Sequence, residues 1–143
     1  NPELVRALQD MASNVFVHNL VAEYIVRLVL ATRTPEEFGM PDLTPVIQVG
    51  CSPRATLGLV AAARALALIH GRDYVLPTDV QAVARDVMSH RLVLGFDAVA
   101  DNITPAQVIE RILAMVPPPT PVWNSQQRQA SHVPHSYVPE ARS

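Results

Sequence analysis

Prolines partition this chain. A proline ring fixes φ and removes a backbone donor, so it is tolerated in the first turn of a helix and breaks one further in. Four prolines open runs of helical periodicity: Pro2 after Asn1, Pro53 after Ser52, Pro77 after Leu76 and Pro105 after Thr104. Asn1, Ser52 and Thr104 carry side chains of the kind that cap orphan N–H groups, and a proline in the first position loses nothing by lacking its own. A chain started repeatedly in this way should be a set of helices with abrupt beginnings.

The apolar spacing gives five of them. The first covers residues 2–11. The second covers 18–33, where Asn19, Glu23 and Arg27 make one wet stripe and Val21, Tyr24, Ile25, Leu28 and Val29 cover the rest. Glu23 and Arg27 also stand in the favourable order for an ion pair four residues apart. The third is capped by Ser52, begins at Pro53 and runs to His70, with Gly71 as its stop. The fourth covers 77–90, with Val80, Val83, Ala84 and Val87 as its buried row. The fifth is capped by Thr104 and buries Val108, Ile109, Ile112, Leu113 and Val116. No stretch sustains strand alternation, although 45–49 and 74–76 are short and β-branched and are expected to pair as a minimal two-strand ladder. Residues 34–45 contain three prolines and read as a loop.

After Val116 the composition changes: residues 117–143 hold six of the thirteen prolines and few aliphatics. They read as a Pro-rich tail, extended or disordered, without a core of its own. The expected architecture is therefore an all-α small helical bundle over residues 1–116, plus that tail. Apolar residues make up 49% of the chain, enough for a modest core. The net charge of −2 gives no basic footprint for nucleic acid. The longest apolar run, 57–69, is interrupted by Arg64 and is too short to span a bilayer, so no transmembrane segment is expected. One cysteine, Cys51, cannot form an internal disulfide and fits a reducing, cytoplasmic setting. The chain opens on Asn1 without a leader and reads as a fragment of a longer protein.

Enzyme constellations are missing from the sequence. It has no GxxxxGK loop, no GxGxxG, no HExxH and no CxxC, and all eleven of its positive side chains are arginine. His132 and His135 have HxxH spacing, but a Pro-rich tail does not hold ligand geometry, and no metal site is expected. His90 and Arg91 close a helix, where they suit exposed carbonyls, and Arg91 is a candidate partner for a nearby carboxylate. Cys51 reads as a structural cysteine. The informative segment is Gly50-Cys51-Ser52-Pro53-Arg54-Ala55. It places an arginine in the first turn of a helix, where free N–H groups and the dipole favour negative charge instead. Two readings stand. Arg54 is a solvated surface arginine, or it meets a phosphate docked at this end, with Gly58 and Ala62 leaving room along the same face.

The same segment resembles the GASPRA element of MoxR-family AAA+ ATPases, with Cys51 where that family has alanine. Residues 63–67 (ARALA), 71–75 (GRDYV), 77–80 (PTDV) and 88–92 (MSHRL) are similar to its following run, and 24–26 (YIV) and 31–33 (ATR) to its preceding one. The resemblance covers about residues 1–116 in order. Leu76 stands where a capping side chain such as threonine is common in the family, which weakens the start of the fourth helix.

The resemblance implies a C-terminal helical lid that folds over ATP and Mg2+ held by a preceding base domain of the same protein. Arg54 would be the sensor 2 arginine aimed at the γ-phosphate, Ser52 and Pro53 would shape the turn presenting it, and Tyr24 would help wall off the adenine. The remaining hydrolytic groups would lie outside this chain, so that the fragment alone does not hydrolyse ATP. A homo-oligomeric ring, von Willebrand A-domain partners and chaperone-like maturation of client complexes are implied in the same way. Two other readings compete: a helical protein-interaction module without a nucleotide role, and a DNA-binding domain, which the acidic balance disfavours.

Overall fold

All five expected helices are present in the computed structural model, which describes residues 1–119. Helix α1 spans Pro2–Ser13, with Asn1 Oδ1 accepting from the Glu3 amide at 3.0 Å. Helix α2 spans Asn19–Arg33, its first turn capped by His18, whose Nδ1 accepts from the Leu20 amide at 3.0 Å. Strand β1 is Ile47–Val49, helix α3 Arg54–Ile69, helix α4 Pro77–Ser89 and strand β2 Val93–Leu94. A short helix α5, Phe96–Ala100, precedes α6, Pro105–Met115. Thr104 and Gln107 form a reciprocal box at the start of α6: each side chain accepts from the other's amide, at 3.2 and 3.0 Å. These elements make a small helical bundle with one two-strand antiparallel ladder.

Several details differ from the expectations. The loop over 34–45 contains two 3-10 turns, Pro35–Phe38 and Pro41–Leu43, each opened by its proline. α5 was not anticipated; at five residues it is too short to show a period. The ladder joins β1 to β2, with Ile47 opposite Leu94 and Val49 opposite Val93, and not to residues 74–76. Those residues have another partner. The Val75 amide donates to the Phe16 carbonyl at 2.9 Å and the Phe16 amide to the Asp73 carbonyl at 2.8 Å, which fixes the α1–α2 connection. Glu23 and Arg27 do not approach within ion-pair distance among the described residues. The tail beyond residue 119, with Val122, Trp123, His132 and His135, lies outside the described residues.

The core forms where α2, α3, α4 and α6 meet. Tyr24, Ile25 and Leu28 of α2, Leu59 of α3, Met88 of α4, and Ile109 and Ile112 of α6 are all buried, as is Met40 from the proline-rich connection. α3 buries Ala55, Leu59, Ala63 and Ala67, four positions one turn apart, so its inner stripe is narrow and its neighbours approach closely. On α4 the buried row is Asp79, Val80, Ala84 and Met88, while Val83 and Val87 are only half-buried. The expected row on α6 is buried throughout, Val108 to Val116. α1 lies against α3 and buries none of its residues fully; Leu4, Val5, Leu8 and Met11 remain half-exposed.

α3 and α4 form an antiparallel hairpin. Gly71 takes the left-handed conformation, φ +73°, that ends α3, and the Arg72 amide reaches back to the Ala67 carbonyl at 2.9 Å. The hairpin brings the far end of α4 back beside the start of α3.

Candidate functional site

That open end of the hairpin begins with a strap, not a side-chain cap. The Thr32 hydroxyl, in the last turn of α2, donates to the Val29 carbonyl at 2.7 Å and accepts from the Cys51 amide at 2.9 Å. The Arg33 guanidinium donates to the Cys51 carbonyl at 3.4 Å. A side chain on Gly50 would stand 2.5 Å from the Thr32 carbonyl oxygen, so the strap can lie this close only because residue 50 is glycine. Cys51 is fully buried, and its thiol donates to the Met88 carbonyl at 3.8 Å. Burial pushes the thiol pKa up, against smaller opposing effects of the Thr32 hydrogen bond and the nearby Arg91 charge. The thiol is therefore a neutral anchor between α2 and α4.

The strap fixes where α3 starts. Pro53 is already helical, φ −55° and ψ −25°, and occupies the cap position, so α3 begins at Arg54. The expected Ser52 side-chain cap is not made: the Ser52 carbonyl takes the Ala55 amide at 2.9 Å instead, and the hydroxyl is left outside. Ser52, Pro53 and Arg54 are all exposed. Arg54 has no carboxylate within 4 Å and makes no side-chain hydrogen bond among the described residues. An exposed guanidinium with no carboxylate partner among the described residues is a surface matched to an anion.

The structure brings Ser52, Pro53 and Arg54 together and leaves Tyr24 elsewhere. Tyr24 precedes Thr32 by two turns of α2, roughly 12 Å along the axis. It is 1% exposed, and its hydroxyl accepts from Gln81 Nε2 on α4 at 3.2 Å. Burial raises its phenol pKa, opposed by the Gln81 hydrogen bond and the Arg85 charge. The ring is enclosed between α2 and α4, apart from the Ser52–Arg54 turn. Sequence reasoning also missed Thr32, whose signal was a hydroxyl in an otherwise apolar last turn, and Arg91. Arg91 follows α4 and carries its guanidinium over Gly58, with Nη2 3.7 Å from where a Cβ at that position would be. No carboxylate pairs with Arg91 among the described residues. Among the same residues no three of His, Cys, Asp and Glu stand together as metal ligands. Among the described residues no helix is long and apolar enough to cross a membrane.

Residues 42–112 match the family model of the AAA lid domain. The chain is 51% identical over 127 residues to Chaperone MoxR1 of Mycobacterium tuberculosis, an overlap of 89% of this chain and 33% of that protein. It is 38% identical over 102 residues to Protein MoxR of Paracoccus denitrificans, covering 67% of this chain and 30% of that protein. A crystal structure from Cytophaga hutchinsonii, of a protein assigned as an ATPase, superposes with a TM-score of 0.75 at 38% identity, covering 78% of this chain and 34% of that one. The chain thus spans about a third of the length of the curated relatives it matches.

Proposed function

This chain belongs to the AAA lid domains of the MoxR type, and from that premise we propose that it closes over a nucleoside triphosphate and senses the γ-phosphate through Arg54. The observation that carries the reading is the exposed guanidinium of Arg54, without a carboxylate partner among the described residues and held at the start of α3 by the strap to Thr32. Ser52 and Pro53 shape the turn and put no apolar bulk in front of it. Bound ATP with Mg2+ would supply the phosphoanhydride and the metal's charge, both held mainly by a base domain outside this chain. The lid's share is orientation: a guanidinium fork fixed before the phosphate arrives stabilises its charge without reorganising. Because Arg54 rides on the α3–α4 hairpin, making or losing that contact moves the bundle as a body, which lets nucleotide state be read at a distance.

In the intact protein this lid would serve a ring-forming, chaperone-like ATPase that matures client complexes. The printed name of the M. tuberculosis relative, a chaperone, supports that reading. Partners with von Willebrand A domains and a cytoplasmic setting belong to the same proposal. The chain alone, without ligands for the metal, should release phosphate from Mg·ATP at the blank rate.

The test is Arg54→Ala in the full-length protein. The variant should fold normally, since an exposed first-turn arginine adds little burial, while steady-state hydrolysis falls by roughly one to three powers of ten. Arg54→Lys should recover only part of the loss, because a point charge does not reproduce the planar fork. Wild-type turnover in folded Arg54→Ala would end the sensor reading. The half-exposed apolar row on α1 favours a second one, a helical protein-interaction module, which predicts that outcome.

A further inference from the structure

Arg54 has a neighbour of the same charge. Arg91 leaves the end of α4 where the antiparallel hairpin lays it beside the first turns of α3, and its guanidinium rests over Gly58. Gly58 follows Arg54 by one helical turn on the same face, so the Arg91 guanidinium rests one turn of α3 from the Arg54 backbone. Three other arginines are neutralised, Arg72 by Asp79, Arg85 by Glu110 and Arg111 by Asp42. Arg6, Arg27, Arg33 and Arg64 also lack a carboxylate within 4 Å among the described residues, but they are carried on α1, α2 and a later turn of α3. Here neither Arg54 nor Arg91 has a carboxylate within 4 Å among the described residues, and neither side chain donates a hydrogen bond there. The Arg91 backbone is nonetheless placed, with its amide on the Met88 carbonyl at 3.1 Å, directly beside the buried Cys51 anchor. Two positive side chains carried one turn apart on the same end of the hairpin suit an anion that reaches both.

We propose that Arg91 is a second phosphate-binding arginine, gripping the same terminal phosphate of the nucleoside triphosphate as Arg54. This rests on the sensor reading of Arg54 and extends it. Two forks on one rigid hairpin can hold one phosphoryl group from two sides, and a diphosphate, which lacks that group, meets neither. The lid thereby distinguishes triphosphate from diphosphate more sharply than one arginine could.

The experiment uses the full-length protein and a fluorescent non-hydrolysable ATP analogue and fluorescent ADP as probes, titrated with Mg2+ present and no turnover. Wild type, Arg54→Ala, Arg91→Ala, Arg91→Lys, the double alanine variant and a remote control, Arg6→Ala, are compared, with melting curves for each. Arg91→Ala should weaken analogue binding by roughly tenfold, the scale of one charge-assisted hydrogen-bond pair, and ADP binding less than about twofold. Arg91→Lys should recover part of that, and keeps the test readable should alanine lower the melting temperature. The double variant should lose less than the product of the single losses, because both residues hold one group. If Arg54→Ala loses its preference for the analogue while Arg91→Ala and Arg91→Lys bind both probes like wild type, Arg91 is a bystander and the sensor reading stands without it. If Arg54→Ala is also unchanged, the sensor reading has failed and this inference with it.

Discussion

The two ends of the α3–α4 hairpin treat arginine in opposite ways. At the turn, Arg72 is drawn onto Asp79, whose side chain is 4% exposed and whose other oxygen accepts the Leu76 amide at 2.8 Å. That carboxylate supplies one half of a capping box, satisfying the Leu76 amide; the other half is missing because Leu76 has no polar side chain to accept from the Asp79 amide. At the open end, Arg54 and Arg91 project from a strapped backbone with no carboxylate near them among the described residues. One end uses charge to close the fold. The other keeps it available. The difference teaches that an arginine's job is read from its partners, since both ends are equally ordered and equally rich in motif residues.

The largest expected effect lies at the closed end. Removing one member of a buried pair leaves the other desolvated, and here it also strands a helix-start amide. Asp79→Ala should therefore cost about 3 kcal/mol of stability. For a domain of this size that is a fall in melting temperature of roughly 10 °C or more. Triphosphate-over-diphosphate preference should survive in the folded fraction. Loss of that preference, with little change in melting, would break the comparison by showing that the two ends are not separable.

Each end also has its own glycine, for different reasons. Gly50 needs space, because a Cβ there meets the Thr32 carbonyl oxygen at 2.5 Å and both atoms belong to the strap. Gly71 needs its conformation, φ +73°, with nothing within 4 Å of an added Cβ. Gly50→Ala should thus cost about 2 kcal/mol through the broken Cys51–Thr32 bond and displaced backbone, and should also depress hydrolysis by moving Arg54. Gly71→Ala should cost about 1 kcal/mol from its left-handed backbone alone. Melting curves paired with turnover distinguish them: only the first should change both.

The helix starts were legible because they are local. Pro2, Pro53, Pro77 and Pro105 each mark a first turn from the sequence next to them, and the α6 face reads correctly through Val116. What needed tertiary information was misplaced. The strand 45–49 was visible, but its partner depends on where α4 ends, so β2 was not. The role of Asp79 had a readable signal, an acid three residues after a residue that cannot cap. Ser52, a good capping residue, yields to backbone geometry once Cys51 is tied to Thr32. Arg54 was found through its motif, whereas the nearness of Arg91 follows only from the antiparallel return of α4. Tyr24 was legible as part of the apolar face of α2, and its burial follows from that face.

The smallest expected effect concerns a third kind of arginine. Arg111 on α6 grips Asp42 of the second 3-10 turn with both nitrogens, at 2.8 and 3.1 Å, in full view of solvent. The Arg111 hydrogen bond holds the Asp42 carboxyl below its ordinary value. Folded Asp42 therefore binds its proton less readily than unfolded Asp42. The pair's contribution is complete above the unfolded carboxylate pKa of about 3.9 and is lost as pH falls through the lower folded value. Exposed pairs are weak and are screened by salt. Asp42→Asn should accordingly melt slightly below wild type at pH 7 in low salt, and the gap should close both in about 1 M salt and on acidification. Arg54→Ala, with no carboxylate partner among the described residues to lose, should show no such gap under any of these conditions. A salt-sensitive loss of stability in Arg54→Ala, matching that of Asp42→Asn, would mean that Arg54 has a partner in its own chain, and would erase the distinction between the two ends.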